Sequence, residues 1–285
     1  MNEGLFGFPK AISQTGGTFG WPLGRTQSIQ KSAYPYSAAI TTGGANAKGA
    51  WSTFTSGTEF TCDGFYIYLT TTGFANRQFL IDIAIGGVGN EIIVVNNLQL
   101  SMGAGGTGDK IYVPLSLPGG SRIAVRAQSS TATSPLDLSI TIVSSPTLSS
   151  MKFFKTVTYG ANTSTSGGTQ VDPGGVASTF GLWSIITNAT EIPIHNIIIS
   201  IGNRNNSAMA NGGISAQIGL TEWPTDNIIV HEINSQCSTV TDVWCPFWHS
   251  FPVYIPSGSI ISARGKSNIT DATDRLFDVT IIGFK

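Results

Sequence analysis

Ile111-Tyr-Val-Pro-Leu-Ser-Leu-Pro118-Gly-Gly-Ser-Arg-Ile-Ala-Val-Arg126 and Ser250-Phe-Pro-Val-Tyr-Ile-Pro256-Ser-Gly-Ser-Ile-Ile-Ser-Ala-Arg264 are two versions of one pattern. Each has a proline-containing strand, then Pro-x-Gly-Ser, then a second strand that ends in arginine. Proline presets the first φ of a tight turn, and glycine supplies the unusual backbone angle that follows it. Both copies therefore read as two β-strands joined by a tight turn. The repeat fixes an architecture before it says anything about chemistry.

Working outward, the match extends in order through both halves of the chain. Phe180-Gly-Leu-Trp183 answers Lys48-Gly-Ala-Trp51, and His195–Ile201 answers Gly64–Leu69. Ile214–Leu220 answers Leu80–Ile85, Asn227–Val230 answers Glu91–Val94, and Phe277–Ile281 answers Leu136–Ile140. The offset is 132 residues at the tryptophans, 138 at Pro118/Pro256 and 141 at Asp137/Asp278. It grows only between strands, as expected when loops gain residues while a strand frame is held. The runs are β-branched, broken by Gly, Pro and Asn, and none carries a helical period. The expected fold is all-β: two tandem antiparallel β-sandwiches, jelly-roll-like, behind an extended N-terminal arm. An immunoglobulin-like sandwich is the alternative. The expected division is an arm over 1–33, a first sandwich over 34–145, a linker over 146–157 and a second sandwich over 158–285.

Composition narrows the function. Charged residues are 11% of the 285, against about 25% in typical soluble domains, and 34 glycines help fill the gap. Fifteen basic and sixteen acidic residues leave a net charge of −1. Nucleic acids and anionic membranes are held by clustered Lys and Arg, so neither is an expected partner. No apolar run approaches the roughly 20 residues of a spanning helix. The first residues lack the basic start and apolar core of a signal peptide, so an extracellular role is expected to come through lysis, a dedicated channel or assembly into a particle. In that setting the Asn-x-Ser/Thr triplets at Asn162, Asn188, Asn205 and Asn268 are chance matches in a Ser/Thr-rich chain.

The arm has its own character. Leu5, Phe6, Phe8, Phe19 and Trp21 lie among glycines and prolines with neither period 2 nor period 3.6. Such a segment cannot fold alone, yet it carries more large apolar side chains than a solvated tail. It is expected to lie against a neighbouring subunit and to be the partner-contacting element.

Candidate chemistry is thin. His231, Cys237, Cys245 and His249 form an H-x5-C-x7-C-x3-H series, but structural zinc pairs usually sit two to four residues apart. No metal and no cofactor is expected, and Cys62, Cys237 and Cys245 are read as reduced thiols. Serine is abundant without a G-x-S-x-G elbow. Gly103–Gly108 lacks the strand-to-helix setting and the Lys-Ser/Thr of a phosphate loop. Asp137 and Asp278, the matched acids, alternate with apolar neighbours and are expected to face away from the packed side, pairing with Arg126 or Arg264. Trp51 and Trp183 are read as core anchors of the repeat. Trp223, Trp244 and Trp248 fall where the second repeat departs from the first, which suits an interface or a glycan-stacking loop, or equally the lid of a core.

The unit as a whole is Tyr159-Gly-Ala161, Trp183, Ile218-Gly219, Asn227–Val230 and Pro256–Arg264, with a looser first copy. It resembles the repeat found, often in tandem, in structural proteins of tailed-bacteriophage virions. That resemblance covers most of residues 34–285 and leaves out the arm. It implies a virion component, assembled in the bacterial host cytoplasm, with no enzymatic activity. Two virion roles are open, a head auxiliary protein that decorates or cements the capsid through its arm, and a tail, fibre or spike component whose second domain binds a host glycan or surface protein through the Trp223–Trp248 loops; a third reading, outside that setting, is a non-viral carbohydrate-binding module or hydrolase accessory domain. The partners implied are other virion proteins, namely the major capsid protein or tail and portal components, together with self-association.

Overall fold

The computed structural model describes residues 24–29, 38–69, 77–102, 110–144, 152–203, 213–222, 225–236, 247–268 and 276–285. Among them there are eighteen strands and no helix. The first nine are β1 (Arg25–Ile29), β2 (Ala38–Thr41), β3 (Ser52–Thr55), β4 (Gly64–Leu69), β5 (Arg77–Ile85), β6 (Ile92–Met102), β7 (Lys110–Val113), β8 (Ile123–Ser129) and β9 (Pro135–Ser144). The second nine are β10 (Thr156–Tyr159), β11 (Thr169–Val171), β12 (Ser184–Thr187), β13 (Ile194–Asn203), β14 (Gly213–Glu222), β15 (Thr225–Gln236), β16 (Phe247–Ile255), β17 (Ile261–Ser267) and β18 (Phe277–Phe284).

The first set forms two antiparallel sheets in the orders β2-β9-β4-β7 and β3-β8-β5-β6, with β1 sharing the outer edge of β9. These are the two four-stranded sheets of a jelly roll. The second set repeats them as β11-β18-β13-β16 and β12-β17-β14-β15, with β10 in the place of β1. Registers repeat as well. Ile67 faces Ile140 as Ile199 faces Ile281, and Asp82 faces Arg126 as Gln217 faces Arg264. Even the bulges recur, at Thr53/Thr55 and at Ile185/Thr187.

Both Pro-x-Gly-Ser turns are clamped by a threonine that sequence reading passed over. Thr58 Oγ1 donates to Pro118 O at 3.2 Å and accepts from Ser121 N, while its backbone pairs with Gly120 and Ser121. Thr190 does the same at Pro256 (2.7 Å), Gly258 and Ser259. Gly120 and Gly258 have φ of 79° and 85°, a region costly for any residue with a Cβ, which explains the glycine in both copies.

Period-2 alternation fills each core. Phe65, Ile67, Phe79, Ile81, Ile83, Val125, Ile140 and Ile142 pack in the first; Ile197, Ile199, Ile218, Ala263, Val279 and Ile281 pack in the second. β18 departs from this rule: all eight residues are buried. Its second face (Asp278, Thr280, Ile282, Phe284) covers the first sandwich, and Ile198, Ile282 and Phe284 join that sandwich's apolar cluster. Asp278 thus faces away from its own core, as expected, and is nevertheless completely buried.

Two expected boundaries shift. Residues 25–29, assigned to the arm, are β1, with Ile29 buried against β9. Within the expected linker, Phe153 bridges Leu115 and packs tilted against Phe284 with ring centres 5.6 Å apart, and β10 begins at Thr156. Twelve residues of apparent connector cannot be read as slack when a phenylalanine plugs the seam between two cores.

Candidate functional site

The candidate surfaces are sheet faces. In each repeat an arginine in the middle of the strand after the turn lies over the matched tryptophan: Arg126 over Trp51 at 4.4 Å and Arg264 over Trp183 at 4.5 Å. This is a cation–π stack on the outer face of the β3-β8-β5-β6 sheet and of its counterpart. Trp51 and Trp183 are half-buried and belong to neither core, which corrects their reading as core anchors. A tryptophan at the mouth of a strand repeats as well as a buried one does, so the repeat alone could not tell them apart. Gly219 shows why: a Cβ there would come within 2.9 Å of the Trp183 ring, so the indole lies flat on the outside of the sheet.

The arginine partners also differ from expectation. Arg126 Nε donates to Asp82 at 2.9 Å, and Asp82 also receives Lys48 Nζ at 2.8 Å and the backbone N–H of Asn97 at 2.9 Å. Arg264 Nε donates to Gln217 Oε1 at 2.9 Å, and Phe180 takes the place of Lys48 beneath it. One repeat thus pairs its arginine with a carboxylate and the other gives it only a neutral amide acceptor. Burial holds the Lys48 ammonium below its usual pKa, against the pull of Asp82. Asp137 and Asp278 lie in the opposite sheets, and Asp278 accepts from Gly168 N at 3.1 Å.

A second face went unread. On the outer side of the β2-β9-β4-β7 sheet, Tyr66, Tyr68 and Tyr112 form a tilted aromatic row with centroid spacings of 6.3 and 4.8 Å. Lys110 Nζ lies 4.2 Å from the Tyr66 ring centre. Burial pushes the Tyr112 phenol up to about 12. Tyr66-x-Tyr68 was the available signal: aromatics at period 2, out of phase with Phe65 and Ile67.

Where the sandwiches meet, a polar layer is sealed in. Gln99 Oε1 accepts from Thr280 at 3.1 Å and from Ser200 at 3.5 Å. Gln128 Nε2 donates to Thr163 O at 2.8 Å and Ser166 Oγ at 3.1 Å, and Ser166 Oγ donates to Asn46 Oδ1. Along the seam the hydroxyls of Thr156 and Thr158 cap the Val94 and Asn96 carbonyls on the edge of β6.

The remaining candidates fall elsewhere. Leu5, Phe6, Phe8, Phe19, Trp21, Trp223, Trp244, Cys237 and Cys245 lie outside the described residues, as does the side chain of Trp248. No group of three metal-ligating side chains occurs among the described residues. His231 is exposed, and burial lowers the pKa of His249. Cys62 is buried, donates to Gly64 O, and has its thiol pushed up to about 11. Among the described residues no helix is long and apolar enough to cross a membrane.

No family model matches the chain, and no curated protein does. Among solved structures it is similar to the tandem CBM22-1-CBM22-2 domain of Paenibacillus barcinonensis Xyn10C, at 10% identity over 93% of this chain and 92% of that one, with a TM-score of 0.26. It is also similar to the infectious bursal disease virus Gx strain structure, at 8% identity over 92% and 72%, TM-score 0.26. The VP2 subviral particle of that virus follows at 10% identity over 80% and 58%, TM-score 0.28. Likeness at this level carries no functional conclusion.

Proposed function

We propose that the protein is a non-enzymatic structural component of a bacteriophage virion, specifically a capsid decoration or cement protein held by its N-terminal arm. The observation that carries this reading is the way the chain spends its large side chains. Two jelly rolls are fused into one stack by a sealed junction, and the sheet faces turned away from it present a tyrosine row on one side and Arg264 over Phe180 and Trp183 on the other. Flat, half-exposed aromatic surfaces bind other flat surfaces, whereas reaction centres need concave sites with converging polar groups. The low charge and high glycine content of the chain, and the resemblance of its repeat, point the same way.

The arm supplies the anchor. Leu5, Phe6, Phe8, Phe19 and Trp21 can contribute about 1.5–3 kcal/mol each in a complementary groove. Ordering a glycine-rich backbone opposes this by roughly 1–2 kcal/mol per residue, so the arm orders only against a large preformed surface. The test adds full-length protein and a variant lacking residues 1–23 to particles without the protein, and counts bound copies. The truncation spares β1, so both sandwiches stay intact. Loss of occupancy supports the reading; equal occupancy overturns the anchoring role and moves the contact onto the sheet faces.

A further inference from the structure

The internal junction joins unlike faces. The β3-β8-β5-β6 face of the first sandwich meets the β10-β18-β13-β16 face of the second. When like units join through unlike faces, one face of each kind is left free at the two ends of the stack. Among the described residues these are the outer face of β1-β9-β4-β7 and the outer face of β12-β17-β14-β15. We propose that these two faces bind each other between copies of the chain, so that the protein assembles head to tail on the pattern of its own junction. The inference deepens the assembly reading above by naming the self-contact, and its test needs no particle.

Position by position, the free faces keep the bonding groups of the closed one. Thr156 and Thr158, which cap the edge of β6, stand opposite Phe284 and Ile282. The same register in the first sandwich places Thr26 and Ser28 opposite Val143 and Thr141. The capped carbonyls, Val94 and Asn96, flank Val95, which faces Ile83; Ile229 and His231 flank Val230, which faces Ile218. Ser200 and Thr280, the hydroxyls bonded to Gln99, correspond to Tyr68 and Ser139. Gln99, opposite Leu80, corresponds to Asn234, opposite Ser215. At these positions a hydroxyl thus stands at each donor and an amide at the acceptor, Tyr66 replaces the apolar bulk of Ile198, and Lys266, opposite Ser215, stands where Gln128, opposite Leu80, donates across the closed junction. His231 and Asn234 are exposed, and Tyr66 and Tyr68 are partly so.

One substitution sets the strength. Leu80, fully buried in the junction, corresponds to Ser215 on the free face. The contact between copies is therefore less apolar than the internal one. It is a reversible association at micromolar concentrations and above, reinforced when copies are held side by side on a surface.

Sedimentation velocity of the full chain across a concentration series tests this, with Tyr68→Arg blocking one face and Asn234→Arg the other. Both side chains reach solvent, and far-UV circular dichroism checks that each variant keeps its sheets. Wild type is expected to form multiples of 30.0 kDa that grow with concentration. Each variant alone is expected to be monomeric, with self-association weakened on the order of 10-fold or more. Mixed one to one, the two variants are expected to form a dimer and stop there, because one supplies the free face that the other lacks. Three results overturn the proposal: a wild-type monomer at all concentrations, variants that associate like wild type, or a single variant that still dimerises with itself, which marks a two-fold contact between like faces.

Discussion

Asp82 offers the sharpest perturbation, because the second repeat already contains the answer to its removal. Its side chain is 4% exposed and holds two cations and a backbone N–H. Replacing Asp82 by Gln keeps an acceptor for Asn97 N and Arg126 but removes the only charge between Lys48 and Arg126. Breaking a buried pair typically costs 3–5 kcal/mol. Arg126 is 29% exposed and regains water, so the lower end applies and the expected loss is about 3 kcal/mol. Lys48→Phe alone is expected to cost about 1 kcal/mol or less, since burial already works against the Lys48 charge. The double variant reproduces the Gln217–Arg264–Phe180 arrangement of the second sandwich. It is expected to lose only about 1 kcal/mol, a coupling of about 2–3 kcal/mol between sites. Thermal unfolding reads this directly: about 6–12 °C lost for Asp82→Gln and about 2–4 °C for the double variant, at about 2–4 °C per kcal/mol for a chain of this size. Additive losses, to within about 0.5 kcal/mol, would refute the idea that the two repeats solve one problem with interchangeable chemistries.

Three further outcomes follow from the same contacts. Lys48 binds its proton less tightly in the folded chain than its ordinary value of 10.5, so its charge opposes folding at neutral pH. That penalty lifts as pH rises through the folded-state pKa and is gone above 10.5, so wild type should gain stability relative to Lys48→Met as pH approaches that value in denaturant titrations. Cys62 is fully buried with its thiol raised to about 11, so in a Cys237→Ser/Cys245→Ser background it should resist iodoacetamide until the chain unfolds; rapid native labelling would contradict the packing at Leu115 and Leu117. Phe153→Ala should cost about 3 kcal/mol, and limited proteolysis should then cut the chain near residues 145–156, because the ring that plugs the seam is gone.

The fold was legible because the strand frame is written twice. The Pro-x-Gly-Ser turns, the paired tryptophans and the strand offsets all sit where the registers put them, and the jelly-roll order follows from those positions. What sequence could not give was the second face of each strand. Ile198, Ser200, Thr280 and Ile282 look like ordinary outward residues of an exposed sheet until another sandwich covers them. Asp82 and Arg126 lie 44 positions apart and Gln99 and Thr280 lie 181 apart, so neither pair leaves a local pattern. Asp137 and Asp278 are matched acids, whereas the acid that pairs with the matched Arg126, Asp82, is itself matched by a glutamine. A search for identical residues passes over a site whose role is kept by different ones. β1 was hidden for a similar reason: five residues with one apolar side chain carry no period, and only the edge of β9 makes them a strand.

On the proposed function, this chain coats a capsid. Quantitative mass spectrometry of purified particles, with isotope-labelled peptides from this protein and from the major capsid protein, measures the ratio between them. The account expects a fixed ratio approaching one copy per capsid subunit or per capsomer, hence hundreds per particle. A handful of copies per particle would place the protein in the tail, and its absence from washed particles would contradict a virion role altogether.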